Sequence, residues 1–215
     1  MFSKPCYIYL SKFRGYEKNK KNQWADHYTY QAKQDNYPAR SVYKLKEMQA
    51  KHSLIRKGNR ILDLGCAPGS WMMFVSEIVG QSGFVTGIDL KKVDIKINAP
   101  HTVLAEDIFS VKDWDTLSGS PFDVVLSDMA PNTTGRKDID ALRSFQLCEV
   151  ALAMAQRHLK SGGNFVCKIF QGADTRDMID AVKKIFSQHR LFRPKSTRKA
   201  SKEVYIIGMG SHLNY

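Results

Sequence analysis

Lys168 lies inside an apolar run, Phe165-Val-Cys-Lys-Ile-Phe170, and an ammonium there is costly unless an acceptor meets it. Candidate partners exist. Asp89, Asp107 and Asp128 each follow a short apolar segment, so each is expected where a buried strand emerges at one edge of a sheet. With Lys168 they make a set able to hold a cation, hold a hydroxyl in place or move a proton. The plainer reading for Lys168 is a side chain that runs out to the rim of the protein. For strand-end acids such as Glu106 or Asp123, the plainer reading is a local cap.

The edge on which these residues meet is set by Ile61-Leu-Asp-Leu-Gly-Cys-Ala-Pro-Gly-Ser-Trp71. Its apolar start reads as a strand buried on both faces. Gly65 then frees the backbone for a tight turn, and Gly69 precedes a helix start at Trp71. In open α/β sheets the crevice beyond such a turn holds cofactors. A phosphate loop needs Gly-Lys-Ser/Thr at its end, which is missing. A dinucleotide turn offers free amides to a pyrophosphate, whereas Pro68 removes one and Trp71 adds bulk. A ligand without phosphates suits this turn. S-adenosylmethionine is one, and its positive sulfonium favours nearby acids. Asp63 lies within the turn motif, and Asp89 follows Gly69 by twenty positions, about where an acid reaches ribose hydroxyls.

These residues are positioned by strands alternating with helices. Strands are predicted over 61–64, 84–88, 102–104, 122–126 and 164–170, with strand-like runs around Leu191 and over 203–208. Helices are predicted over 38–49, opened by Pro38 and ended by Gly58-Asn59, and over 71–79. Two more are predicted, over 140–159, stopped by Gly162-Gly163, and over 174–188. The rhythm implies an α/β fold, a mostly parallel sheet of seven strands with helices on both faces. One domain accounts for 215 residues of which 43% are hydrophobic.

The net charge of +12 is unevenly placed. Residues 1–60 hold 14 Lys+Arg against 4 Asp+Glu, residues 61–186 hold 13 against 16, and residues 187–215 hold 6 against 1. Two basic ends around an acidic middle suit a polyanion laid across the mouth of a cofactor site. Tyr28, Tyr30, Tyr37, Tyr43 and Phe192 lie in those ends and can stack on unpaired bases, which favours RNA. The alternative for each is an ordinary core or surface aromatic. No basic amphipathic helix with a wide apolar face indicates a membrane surface. Residues 2–30 hold no apolar run long enough for a signal peptide or a span, so a cytoplasmic protein is expected. Cys6, Cys66, Cys148 and Cys167 show no paired spacing, the six histidines are scattered, and no metal site is expected.

Three further motifs make a resemblance specific. Asp63-Leu-Gly-Cys-Ala-Pro-Gly-Ser-Trp71, Ser127-Asp-Met-Ala-Pro-Asn132, Val166-Cys-Lys-Ile-Phe-Gln-Gly172 and Ser201-Lys-Glu-Val-Tyr205 occur in the order found in the RrmJ/FtsJ family of ribosomal RNA 2'-O-methyltransferases. Arg40-Ser-Val-Tyr-Lys-Leu-Lys-Glu47 is similar to the helix that carries that family's first lysine. The resemblance runs from Trp24 to Gly208. Ser70 stands where glycine is common and Thr134 where serine is usual, and neither change removes a functional group.

The resemblance implies a Rossmann-like methyltransferase domain over residues 23–215 behind a basic tail over 1–22, with residues 23–60 a basic helical segment that helps bind RNA. It implies a catalytic set of Lys44, Asp128, Lys168 and Glu203, with S-adenosylmethionine contacts at Gly69, Trp71, Asp89, Asp107 and Asp128, near Asp63 and Gly65. The substrate it implies is a uridine of large-subunit ribosomal RNA, modified by a monomer. Lys168 can then be a base, if burial or Lys44 lowers its pKa, or a group that orients the hydroxyl, if Asp128 and Glu203 both touch it. Transfer RNA is the alternative substrate within the family. Amine methylation fits less well, because Asp128-Met-Ala-Pro131 replaces the Asn/Asp-Pro-Pro-aromatic that planar amines need. A non-catalytic RNA-binding assembly protein is the alternative outside enzymology.

Overall fold

The computed structural model describes residues 27–111 and 121–213. The expectations for residues 1–22, and the start of the resemblance at Trp24, fall outside them. The chain runs α1 (His27–Gln34), α2 (Val42–His52), β1 (Arg60–Leu64), α3 (Ser70–Val79), β2 (Phe84–Asp89), β3 (His101–Ala105), β4 (Phe122–Ser127), α4 (Lys137–His158), β5 (Leu159–Phe170), α5 (Thr175–Lys183), β6 (Phe186–Phe192) and β7 (Glu203–Ser211).

The seven strands form one sheet in the order β3-β2-β1-β4-β5-β7-β6. Neighbours pair in parallel except at β7, which is antiparallel to both β5 and β6. Alternation along each strand sorts the core into two layers. Ile61, Val85, Val124 and Val166 face α2 and α3, where Leu45, Met48 and Val75 meet them. Leu62, Val125, Phe165 and Cys167 face α4 and α5, meeting Cys148, Leu152 and Val182.

Helix α2 matters most for chemistry, because it delivers Lys44 from outside the sheet. Val42, Leu45 and Met48 are fully buried on it, each burial worth roughly 1.5–3 kcal/mol before entropy is counted. Leu45 and Met48 fix the helix in the layer shared with α3 and Ile61, and Val42 packs on Ala32 and Tyr37. It starts at Val42 rather than Pro38, because residues 38–41 form a turn in which the Ala39 amide donates to Ser70 Oγ at 2.7 Å. The serine that departs from the family pattern thus ties α2 to α3. The helix ends at Ser53, which adopts the left-handed conformation and donates its N–H to the Gln49 carbonyl, five residues before Gly58.

Three other boundaries differ from the sequence expectation. The helix expected to reach Gln188 stops at Lys183, because Phe186 stacks on Phe165 with ring centroids 5.8 Å apart and enters the sheet beside β7. Gly162 and Gly163 do not stop α4. It ends at His158 and β5 begins at once, with a register irregularity against β4 between Phe122 and Val124. At its other end α4 begins at Lys137, three residues before the expected Asp140.

Candidate active site

The strand order reverses direction between β1 and β4, and the crevice outside their C-terminal ends opens there. It contains a cavity of about 660 Å³, whose lining includes Gly65, Ala67, Asp89, Asp107 and Asp128. Gly65 sits at φ +75°, and a Cβ on it would lie 2.7 Å from Met129 Cγ, so only glycine lets the β1 turn pass beneath the β4 turn. Gly69, at φ +103°, plays its part elsewhere. A Cβ there would lie 2.7 Å from Ile95 Cγ2, so it admits the segment that crosses α3.

Two of the strand-end acids fix the loops they begin. Asp89 Oδ2 accepts the Ala67 amide at 2.9 Å and Oδ1 the Lys91 amide at 2.8 Å. Asp107 Oδ1 accepts the Phe109 amide at 3.0 Å. Glu106, expected to be a local cap, also lines the cavity, whereas Asp123 does cap: it accepts the Arg60 amide at 2.7 Å and pairs with Lys160. The wall holds four carboxylates, those of Asp89, Glu106, Asp107 and Asp128, against the two cations Lys91 and Arg143. The acidic majority, the missing Pro68 amide and an Ala67 amide already taken by Asp89 fit a cationic, phosphate-free donor and oppose a phosphate.

Asp63 and Trp71 do not line this cavity. Asp63 is fully buried below the turn with neither oxygen hydrogen-bonded. Burial, with Asp128 and Asp89 nearby, pushes its carboxyl well above the usual carboxylate range. Trp71 is buried too. Its indole N–H donates to the Ser41 carbonyl at 2.9 Å, and its ring lies 6.0 Å from that of Tyr205.

Beside the cavity the structure brings Lys44, Asp128, Lys168 and Glu203 together as two ion pairs. Lys168 Nζ lies 3.0 Å from Asp128 Oδ1 and donates to the Asp128 carbonyl at 2.6 Å. Lys44 Nζ lies 2.5 Å from Glu203 Oε1. Lys168 is therefore a buried, partnered amine rather than one that reaches for the rim, and the carboxylate it touches is Asp128, not Glu203. Antiparallel pairing explains the assembly. Lys168 on β5 stands opposite Tyr205 on β7, and Glu203 lies two residues from Tyr205, so all three share the face turned toward α2.

Tyr205 links the pairs. Its hydroxyl donates to Asp128 Oδ1 at 2.7 Å, and Lys44 Nζ lies 5.9 Å from its ring centroid. Burial and the adjacent Asp128 and Glu203 push its phenol well above the ordinary value. Nothing in the motif alone marks it for this role, although the spacing of two between Glu203 and Tyr205 in a strand-like run is a signal for a shared face. Glu47, the last residue of the Arg40–Glu47 motif, gains a role only in the structure. It lies three residues after Lys44 on α2 and accepts the backbone amides of Lys195 at 2.6 Å and Ser196 at 2.9 Å.

Of the aromatics expected to meet bases, Tyr37 and Tyr43 are buried core residues whose hydroxyls donate to Glu77 and Asp35. Of these five, Tyr30 is exposed, at 59%, and Tyr28 and Phe192 are half-buried.

A model of the FtsJ-like methyltransferase family matches residues 37–211. The chain is 55% identical over 202 residues to the ribosomal RNA large subunit methyltransferase E of Desulforapulum autotrophicum, covering 93% of this chain and 98% of that one. It is 55% identical over 185 residues to the protein of the same name from Desulfosudis oleivorans, covering 85% and 89%. Among solved structures it is similar to a chain described as a ribosomal RNA methyltransferase of Plasmodium falciparum, with a TM-score of 0.71, 26% identity, and coverage of 83% of this chain and all of that one.

Proposed function

This chain belongs to the FtsJ-like methyltransferase family, and from that premise we propose that it transfers a methyl group from S-adenosylmethionine to a ribose 2'-hydroxyl of large-subunit ribosomal RNA, at a uridine. The observation that carries the reading is the double ion pair around the Tyr205 hydroxyl at the border of an acidic cavity. Relatives at 55% identity bear the name ribosomal RNA large subunit methyltransferase E.

S-adenosylmethionine supplies an electrophilic methyl on a positive sulfur, and the residues that would hold it are Asp89, Asp107 and Asp128 on the cavity wall. Gly65 permits the close turn and Gly69 seats the segment over α3, while Trp71 supports the site through Tyr205. Asp128 borders both the cavity and Lys168, so the hydroxyl and the methyl meet there. An ammonium has three N–H groups, and Asp128 occupies two directions around Lys168 Nζ with its carbonyl and its carboxylate. The remaining direction is open to the 2'-oxygen, and we assign Lys168 the task of orienting that oxygen for in-line attack. Within the set, the carboxylates of Asp128 and Glu203 are the acceptors for the proton that leaves as the oxygen is methylated. Lys44 holds Glu203 in place.

The basic strap between β6 and β7, with Arg193, Lys195, Arg198, Lys199 and Lys202, faces the same region, and with residues 23–60 it supplies the cationic surface for RNA. All four members of the set come from one chain, which supports a monomer. No helix among the described residues is long and apolar enough to cross a membrane, and ribosomal RNA as substrate supports a cytoplasmic location.

The test is methyl incorporation from labelled S-adenosylmethionine into large-subunit particles isolated from cells lacking the protein. The expected label resists alkaline hydrolysis with its neighbouring phosphodiester, since a methylated 2'-oxygen cannot attack it. Label on a base, or none, would overturn the reading.

A further inference from the structure

A second cavity of about 290 Å³ opens where β5 ends and β7 begins, lined by Lys137, Phe170, Gln171, Ser201 and Lys202 among others. Along the sheet order the acidic cavity lies at the ends of β3, β2, β1 and β4, and the second cavity adjoins β5 and β7, the strands that carry Lys168 and Glu203. Phe170 follows Lys168 by two residues, so its side chain leaves the same face about 7 Å farther on, and it stands opposite Glu203 in the β5–β7 register.

The chemistry of the two cavities is opposite. Asp140, the acid in the second wall, has its carboxylate occupied by the Thr134 amide at 2.7 Å, the Thr134 hydroxyl at 2.9 Å and the Gly135 amide at 3.2 Å. Lys137 and Lys202 are exposed and join no ion pair among the described residues. What remains is a half-buried aromatic ring, an exposed amide able to donate and accept, and two free cations. Ligand pockets for drug-sized molecules run from roughly 300 Å³ upward, so this space suits one planar ring and not a second cofactor.

We propose that this cavity is the subsite for the nucleotide adjoining the methylated one, with Phe170 stacking on its base, Gln171 reading the base edge, and Lys137 and Lys202 holding its phosphates. The inference rests on the chain acting on RNA, and it adds an interaction that selects which ribose is presented to Lys168. Aromatic stacking tolerates any base, whereas the Gln171 amide discriminates by hydrogen bonding.

The test uses the full chain with large-subunit particles that lack the modification, and with RNA fragments spanning the mapped site in which the adjoining base is replaced. Phe170→Leu is expected to raise the KM for RNA on the order of tenfold, because the base no longer stacks, with kcat and S-adenosylmethionine affinity within about twofold. Gln171→Ala flattens the preference among adjoining bases and leaves the salt dependence unchanged. Lys137→Ala with Lys202→Ala lowers the slope of log affinity against log salt by about 0.7–0.9 for each phosphate that is no longer neutralised. Unchanged cofactor affinity reports that each variant is folded. A changed slope with the base preference intact in Gln171→Ala makes the surface a general phosphate binder and overturns the subsite. Unaltered KM, slope and preference overturn it as well while wild-type activity stands. A wild-type chain that methylates no RNA overturns the underlying reading instead.

Discussion

The acidic cavity and the amine–acid set touch at Asp128, yet they are built in different ways. The cavity is made largely from the last residue of β2 and the first residues beyond β1, β3 and β4, four parallel strands that end at one edge, so each contributing acid closes its own strand. Its walls are held mainly by short-range bonds, Asp89 to the Lys91 amide and Asp107 to the Phe109 amide, each spanning two residues, with Asp89 also reaching the Ala67 amide across the neighbouring turn. The amine–acid set draws Lys44 from a helix outside the sheet, Lys168 from mid-sheet and Glu203 from an antiparallel strand, and joins residues 40 to 159 positions apart. The cofactor half depends on strand ends and the substrate half on non-local pairing. The two should therefore fail separately.

The largest effect is expected at the residue they share. Asp128→Ala removes the partner of Lys168, the acceptor of the Tyr205 hydroxyl and one cavity acid together. Turnover should fall roughly a thousandfold, and cofactor affinity should fall with it, which rate measurements and calorimetry can follow. A fall in one without the other would show that the halves are not joined there. Asp89→Ala should act on the cofactor half alone. Two charge-assisted hydrogen bonds disappear, so the dissociation constant for S-adenosylmethionine should rise about ten- to a hundredfold with RNA affinity unchanged.

Glu47→Gln acts on the other side. The Glu47 carboxylate pins the start of the 193–202 strap by two amides while Lys44 pins Glu203 at its end, so α2 grips the basic strap at two points. Weakening one grip should raise the KM for RNA about five- to tenfold and leave kcat within twofold. A fall in kcat alone would place Glu47 in the chemistry.

The smallest effect concerns stability. Asp63 titrates near about 3.9 when unfolded, and its folded pKa is raised. Above pH 4 the unfolded chain releases a proton that the folded chain keeps, so stability is greatest below that value and is lost as pH rises toward the folded pKa. Asp63→Asn removes this dependence. Its Tm relative to wild type should increase between pH 4 and 8, by about 2–4 °C for each kcal/mol involved. A constant difference would mean Asp63 is ionised in the fold.

The same contrast explains what the sequence made legible. The apolar runs that became β1, β2, β4 and the end of β5 were plain because both faces are buried, the edge strand β3 being half-exposed, and Asp89, Asp107 and Asp128 followed directly as strand ends. The order β5-β7-β6 was not plain, since antiparallel pairing at one side of a sheet leaves no local mark. The exchange of partners that puts Glu203 on Lys44 and not on Lys168 depends on it. Tyr205 stands within a motif but had no role there, because its value lies in what stands across the strand. The helix expected over 174–188 was too long because Phe186 reads equally well as the next apolar position of a helix or as the start of a strand. Only its stacking on Phe165 decides.

The central claim is that Lys168 acts in the transfer step and not in holding the donor. Single-turnover methyl transfer to large-subunit particles by Lys168→Ala, with the S-adenosylmethionine dissociation constant of the same preparation, tests it most directly. Transfer should disappear while the dissociation constant stays within a few-fold of wild type. Near-normal transfer by the variant would contradict the account.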